Sequence, residues 1–302
     1  MRRRDSGVVL INALVIVLTI SLVAAALLTR SESARIRASD AQGASQLELY
    51  LDAAELLMPV LLKDQEDGIL THPDQAWASD SLRYPIDRGS VAAKVSDLNG
   101  RLNVNWLIRN DAYAEDLFLR VFTQLRLPAS LLEEITDFVS SGGPSAASAY
   151  LSRVPSVLPR GGAVKLLDDL REVRGMTPAY FKILSGVAAA LPVEARLNLN
   201  TAPKVVFDAA IEPLPSELIS EIAVRQSPIE SISELRRRTI EILETEEIEH
   251  LPFERFTVAG SWFMADLVAV LDGAQQHRRT VFQIAPATEV PIRRVYRWAV
   301  YD

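Results

Sequence analysis

Residues 8–28 carry no charged side chain. As a helix rising ~1.5 Å per residue, the run is about 31 Å long, close to the ~30 Å hydrocarbon core of a bilayer. Its distinctly polar members are Asn12, Thr19 and Ser21. Thr and Ser bond back to helix carbonyls at little cost, whereas Asn12, near one end, is expensive in lipid. Beyond the run, Ala44, Leu47, Leu51, Ala54, Met58 and Leu61 follow one another at spacings of three and four. That predicts a helix with a seven-residue apolar stripe. No strong breaker separates the two stretches, since Gly43 costs only ~1 kcal/mol inside a helix. One helix is therefore predicted from Val8 to about Met58 or Leu62, with Pro59 as a kink point and Lys63, Asp64 and Gly68 closing it. Its first half is apolar all round and its second half is amphipathic.

Scattered Trp, Pro and polar positions over residues 71–85 predict a loop or short turns. Weak alternation over 89–95 predicts a strand. Asn99-Gly100 is a hairpin turn signal, and 101–105 reads as a second strand, so residues 88–105 are predicted to form a hairpin. The second strand, Arg101-Leu102-Asn103-Val104-Asn105, returns almost unchanged as Arg196-Leu197-Asn198-Leu199-Asn200. Between the copies, residues 113–125, 130–139, 164–173 and 178–190 have helical spacing, interrupted by a Ser/Gly/Ala-rich loop at 140–148 and by Pro155, Pro159 and Gly161-Gly162. This predicts a helical block inserted into a sheet-containing domain.

Thr201 is placed to cap a helix opening at Ala202-Pro203. Further short helices are predicted at 216–225 and 231–238, and the acidic run 241–249 reads as a solvated helix face. From Phe256 the pattern changes to strands at 256–258, 262–264, 267–271, 280–284 and 296–301, joined by Asp272-Gly273 and by residues 286–291. The tail predicts an antiparallel sheet, one face packing on the amphipathic half of the first helix.

A length of 302 residues allows about two domains at ~150 residues each. The 49% hydrophobic and 24% charged content excludes wholesale disorder. The chain has no Cys, which excludes disulfides, thiolate metal sites and a cysteine nucleophile. A net charge of -7 argues against nonspecific nucleic-acid binding. His72, His250 and His277 have no metal-ligand spacing, and no GxSxG elbow, P-loop or dinucleotide fingerprint is present. Asp97 and the Asp168-Asp169 pair are available carboxylates, but without a surrounding cluster they read as caps or surface. Neither a cofactor nor an enzymatic activity is expected.

Residues 170–178 join two helices through Gly175, with Thr177 capping the helix that opens at Pro178. Such hairpins bind DNA phosphate through helix N-terminal N–H groups. Here Asp168, Asp169 and Glu172 offset Lys165, Arg171 and Arg174, so the hairpin reads as a helix-packing corner.

The N-terminus has three readings. Arg2, Arg3 and Arg4 before the apolar run, with small residues at 24–26, fit a cleaved secretory signal. The run alone fits a membrane anchor. Ser6-Gly7 followed by Val8-Val9-Leu10-Ile11 fits a prepilin-type leader, cut before the run so that the run is retained. The in-phase amphipathic continuation favours the third, because a secretory signal has no need of one.

Together these residues resemble the type II secretion minor pseudopilin K family, also called general secretion pathway protein K, over nearly the whole chain. The resemblance rests on the Gly7/Val8 junction, the segment from Ser96 to Asn105, the hairpin from Leu170 to Met176, and most specifically Leu197-Asn198-Leu199-Asn200-Thr201-Ala202-Pro203. It implies an α+β fold: a pilin-like long N-terminal helix on an antiparallel sheet, with a large inserted all-helical domain. The implied division is a leader at 1–7, a transmembrane part at 8–28, an amphipathic part at 29–62, a pilin-like domain at 63–106 and 196–302, and the insertion at 107–195.

The implied role is to cap the tip of the secretion pseudopilus with minor pseudopilins I and J; a minor pilin of a related type IV pilus or DNA-uptake system is the alternative. Prepilin peptidase would cut after Gly7 and methylate the amino group of Val8. The protein would sit in inner membrane lipid by a single span, its C-terminal domain in the periplasm, with no nucleic acid as partner. Most pilins carry a Glu where this chain has Asn12, and its loss suits a subunit with no neighbour above it. The family's inserted domain often holds calcium on an acidic run; the matching stretch here keeps a carboxylate only at Asp137, so no metal is expected there.

Overall fold

A computed structural model describes residues 5–65, 68–79, 82–109, 111–212, 214, 218–220, 222, 227–242, 252–285, 288 and 290–300. The Arg2–Arg4 segment, most of the helix expected at 216–225, most of the acidic run at 241–249, and the end of the last strand lie outside the described residues.

The apolar run and the amphipathic stripe form one helix, α1 (Asp5–Leu61), of 57 residues. At ~1.5 Å per residue it is about 85 Å long. Pro59 falls in its last turn, where the missing N–H costs one intrahelical bond two residues before the helix ends. Leu47, Leu51, Ala54, Met58 and Leu62 are buried, whereas Ala44 lies beyond the packed part and stays exposed.

The sheet that α1 packs on has five antiparallel strands: β1 (Leu82–Ile86) and β2 (Gly89–Asp97), then β7 (Trp262–Leu271), β8 (Ala274–Ile284) and β9 (Ile292–Val300), in that spatial order. Alternation along β7 buries Phe263, Ala265, Leu267, Ala269 and Leu271 on the α1 side, where they form one core with Leu47, Leu51 and Met58. Asp272 and Gly273 both have positive φ, 50° and 84°, as the tight β7–β8 turn requires. The stretches 262–264 and 267–271 are thus a single strand.

The hairpin expected over 88–105 does not form. The hairpin is β1–β2, turning at Asp87-Arg88 with Arg88 at φ 64°, and it draws one strand from the expected loop. Asn99-Gly100 instead sits in a 3-10 turn, because the Asn99 side chain is committed elsewhere. It donates to the Arg196 carbonyl (2.8 Å) and accepts from the N–H groups of Ser261 and Trp262 (both 2.9 Å).

Everything from Leu98 to Ser261 lies between β2 and β7, which are neighbours in the sheet. This inserted body contains α2 (Ala112–Gln124), α3 (Ala129–Val139), α4 (Ala147–Leu151), α5 (Pro178–Leu184), α6 (Lys204–Ile211) and α7 (Ile232–Ile242). Asp111 caps α2 and Thr177 caps α5 through side-chain oxygens. Two short parallel pairs tie the body together, β3 (Leu102–Asn103) with β4 (Ala188–Ala189) and β5 (Leu197–Asn198) with β6 (Phe256–Thr257). Its apolar core runs from Leu102 to Phe256 and takes in Val206, Ala210 and Leu235 beside Leu117, Phe122 and Ile135. The core therefore crosses the boundary expected at 195/196, because α6 and α7 bury their apolar faces on the earlier helices rather than on the sheet.

Candidate assembly surfaces

The first surface is the free part of α1. Leu10, Leu14, Ile20, Leu27 and their neighbours are exposed, and this is the one helix among the described residues long and apolar enough to cross a membrane. Thr19 donates to the Ile16 carbonyl and Ser21 to that of Val17, both at 2.8 Å, so these hydroxyls are satisfied within the helix. Gly7, Val8 and Asn12 lie together at the start of α1, with Asn12 exposed. Where α1 packs on the sheet, Leu49, Leu56, Leu57 and Val60 remain exposed on the side away from the strands.

A cluster of charges fixes α1 on the sheet. Glu48, Asp52 and Glu55 are spaced four and three apart, so they share one helix face. Arg278 on β8 reaches all three: it pairs with Glu48 and stands 2.6 Å from Asp52 Oδ1 and 3.3 Å from Glu55 Oε2. Arg294 on β9 pairs with Glu55, and Arg297 lies 3.2 Å from Asp52. Glu55, 4% exposed, also accepts from the Thr280 hydroxyl at 3.1 Å. The Arg278 hydrogen bond, with the charges of Arg278, Arg297 and Arg294, outweighs desolvation and holds Asp52 below the usual carboxylate range.

Sheet and inserted body meet at Asp97. Its carboxylate accepts from Asn99 N–H (2.8 Å), Asn198 Nδ2 (2.8 Å) and the Thr201 hydroxyl (2.7 Å). Burial outweighs these bonds and pushes its pKa up to about 6. A Cβ on Gly260 would lie 2.7 Å from this carboxylate, so only Gly closes the joint.

The repeated motif builds two matching corners. Asn103 Oδ1 accepts from Asn105 N–H, and Asn198 Oδ1 from Asn200 N–H, each at 3.1 Å. Asn105 then clasps the backbone of Val164 through both amide atoms (2.9 Å each), as Asn200 clasps Ile229 (3.0 and 2.8 Å). Each copy pairs its strand in parallel with a later one. The similarity of the five-residue copies is the sequence signal for these corners, which stand inside the inserted body rather than at its two ends. The Arg278 cluster was missed; the i, i+4, i+7 acidic row was its signal.

Asp137 lies near the C-terminus of α3, remote from the α1 residues. Both its oxygens accept from Ser145 N–H (3.0 and 2.9 Å) and one from the Ser145 hydroxyl. Among the described residues no group of three His, Cys, Asp or Glu is placed to hold a metal. A calcium ion wants six to eight oxygens, several anionic. A single carboxylate already occupied by Ser145 donors does not fit it.

The family model described as Type II secretion system (T2SS), protein K, matches residues 100–193. Over 98% of both chains the protein is 22% identical to type II secretion system protein K of Pectobacterium carotovorum subsp. carotovorum. It is 28% identical to that of Pseudomonas aeruginosa PAO1 over 72% of this chain and 71% of the relative. Its fold is similar to a chain in the crystal structure of the GspK-GspI-GspJ complex from the type 2 secretion system of enterotoxigenic Escherichia coli. The TM-score is 0.72 at 18% sequence identity, covering 88% of this chain and 100% of the other.

Proposed function

Because the chain belongs to the type II secretion system protein K family, we propose that it is the minor pseudopilin that caps the tip of a secretion pseudopilus, a structural part of protein export. The observation that carries this reading is α1 itself: one uninterrupted helix exposes an apolar span and then, through the Arg278 cluster, becomes part of a folded sheet domain. Such a helix holds the protein in inner membrane lipid before assembly and packs among neighbouring helices after it, with the C-terminal domain in the periplasm.

Minor pseudopilins I and J are the proposed tip partners, the relative in Escherichia coli being part of a complex with GspI and GspJ. Prepilin peptidase is proposed to cut after Gly7 and methylate Val8. Asn12, uncharged where other pilins carry Glu, suits the top position. The proposed division keeps a leader at 1–7, a membrane span at 8–28 and an amphipathic part at 29–62, followed by the sheet domain with the body inserted between β2 and β7. The role is structural, without catalysis.

Mass spectrometry of the mature N-terminus tests this. A start at N-methyl-Val8 is expected, and a start at Leu27 would mark a cleaved signal and defeat the reading. Co-purification with pseudopilins I and J separates it from a minor pilin of a related pilus or DNA-uptake system.

A further inference from the structure

A cleft of about 150 Å³ opens between the sheet face turned away from α1 and the inserted body. Its walls include Arg101 and Phe181 from the body and Trp262, Arg279, Tyr296 and Trp298 from the sheet. Arg101 is the distinctive member. Among the described residues its guanidinium forms no ion pair and makes one hydrogen bond, from Nη1 to the Ser185 carbonyl at 3.0 Å. The five N–H groups of an Arg form a fork suited to a carboxylate.

The nearby acids are already engaged. Asp266 accepts from Arg279 (2.8 Å) and bonds His277 (2.7 Å), and Asp168 accepts from Arg171 (2.8 Å). Lys165, exposed at the mouth, adds a second cation. The cleft therefore has a surplus of positive charge. Arg196, the counterpart of Arg101 in the second motif copy, is simply exposed. The repeat alone does not account for where Arg101 sits.

Size and composition restrict the occupant. Cofactor and drug-sized sites start at about 300 Å³, so this cleft takes the end of one side chain. Trp, Tyr and Arg are the residues that dominate protein–protein binding energy. Tyr296 and Trp298 stand half-buried on β9, an edge strand whose outer side is unpaired among the described residues. We propose that this cleft receives an acidic side chain from a neighbouring protein, its carboxylate on Arg101 and the adjoining apolar part of the same segment on Tyr296 and Trp298. The inference stands on the cleft and does not depend on the family role.

The test uses the full-length protein in detergent micelles, with its four Trp residues as 5-fluorotryptophan. Trp77 and Trp106, buried in the other cores, serve as internal references in the ¹⁹F spectrum. N-acetyl-Phe-Glu-amide is expected to shift the Trp262 and Trp298 signals saturably, and N-acetyl-Phe-Gln-amide to leave them in place. Arg101→Met should weaken binding about tenfold, the scale of one bond to a charged group, while Arg196→Met leaves it unchanged. Lys165→Ala, at an exposed position, should weaken it a few-fold and serves if Arg101→Met fails to fold. Equal shifts with the Gln peptide would overturn the proposal. So would affinity unchanged in both Arg101→Met and Lys165→Ala, or binding confined to N-acetyl-Phe with a free terminal carboxylate.

Discussion

Arg278 Nη1 lies 3.3 Å from Glu55 Oε2, joining strand β8 to helix α1 with both side chains nearly buried. An ion pair of this kind is weak evidence of net stability, yet removing one member leaves the other buried without its partner, at about 3–5 kcal/mol. Arg278→Ala leaves the buried Glu55 to Arg294 and the Thr280 hydroxyl, and leaves Glu48 and Asp52 without their shared cation. It should destabilise the fold by up to about 3 kcal/mol and so lower the denaturant midpoint further than Arg297→Ala, whose side chain is 44% exposed. Chemical unfolding of the two variants checks this.

The same cluster has an acid limb. Asp52 is held below its ordinary value of 3.8, so its contribution is fully present above that pH and is lost as the pH falls through its folded value. Asp52→Asn should flatten stability against pH on the acid side of 3.8 and leave the neutral limb unchanged.

Asp97 behaves in the opposite sense. Its folded pKa, about 6, lies above the ordinary 3.8, so the folded protein binds more protons than the unfolded chain between those values. Stability therefore falls as the pH rises from about 4 through 6, and the buried charge is carried at neutral pH. Asp97→Asn should remove this slope in a melting series from pH 4 to 7. It should also cost stability of its own, because an amide has one accepting oxygen, so its NH2 must face either Asn99 N–H or the pair of donors from Asn198 and Thr201.

Gly260→Ala places a methyl 2.7 Å from that carboxylate. Overpacking of this sort costs about 1–3 kcal/mol. The variant should unfold at lower denaturant, and combining it with Asp97→Asn should give less than the sum of the two losses, since both act on one joint.

The paired corners predict matching exchange behaviour. Asn105→Ala orphans the backbone of Val164 and frees the Leu191 carbonyl; Asn200→Ala orphans that of Ile229. Each unsatisfied buried group costs about 1–3 kcal/mol. Hydrogen exchange should accelerate at Val164 N–H in the first variant and at Ile229 N–H in the second, with Asn105→Ala the more damaging.

Saturating calcium should leave the melting temperature of the full chain unchanged. A rise that Asp137→Ala abolishes would show a metal site that the donor set does not suggest.

What was readable from the chain follows how local each signal is. The apolar run of 8–28 and the heptad from Leu47 to Met58 are contained within the helix they predict. Asp272-Gly273 specifies its own turn. The β1–β2 hairpin is hard to read because Arg88 stands where a two-residue turn usually has Gly, while the Asn-Gly at 99–100 carries the expected signal but is tied to Arg196, Ser261 and Trp262, from 97 to 163 residues away. The extent of the inserted body was equally hidden. The amphipathic patterns of α6 and α7 say that they bury a face, not which core receives it. Of the site residues, Asp97 is visible as a carboxylate, but two of its three donors, Asn198 and Thr201, come from one segment 101 and 104 residues away.

The insertion between β2 and β7 also sets how the protein carries tension. A pull on the N-terminal end of α1 runs along the helix into the Arg278 cluster and the apolar core beneath it. It then spreads into β7, β8 and β9 as shear across many hydrogen bonds at once. The inserted body is hung from the adjacent ends of β2 and β7, and its own core lies outside the helix–sheet contact. A pull on α1 therefore loads the helix–sheet core first and reaches the separate core of the inserted body only through those two strand ends.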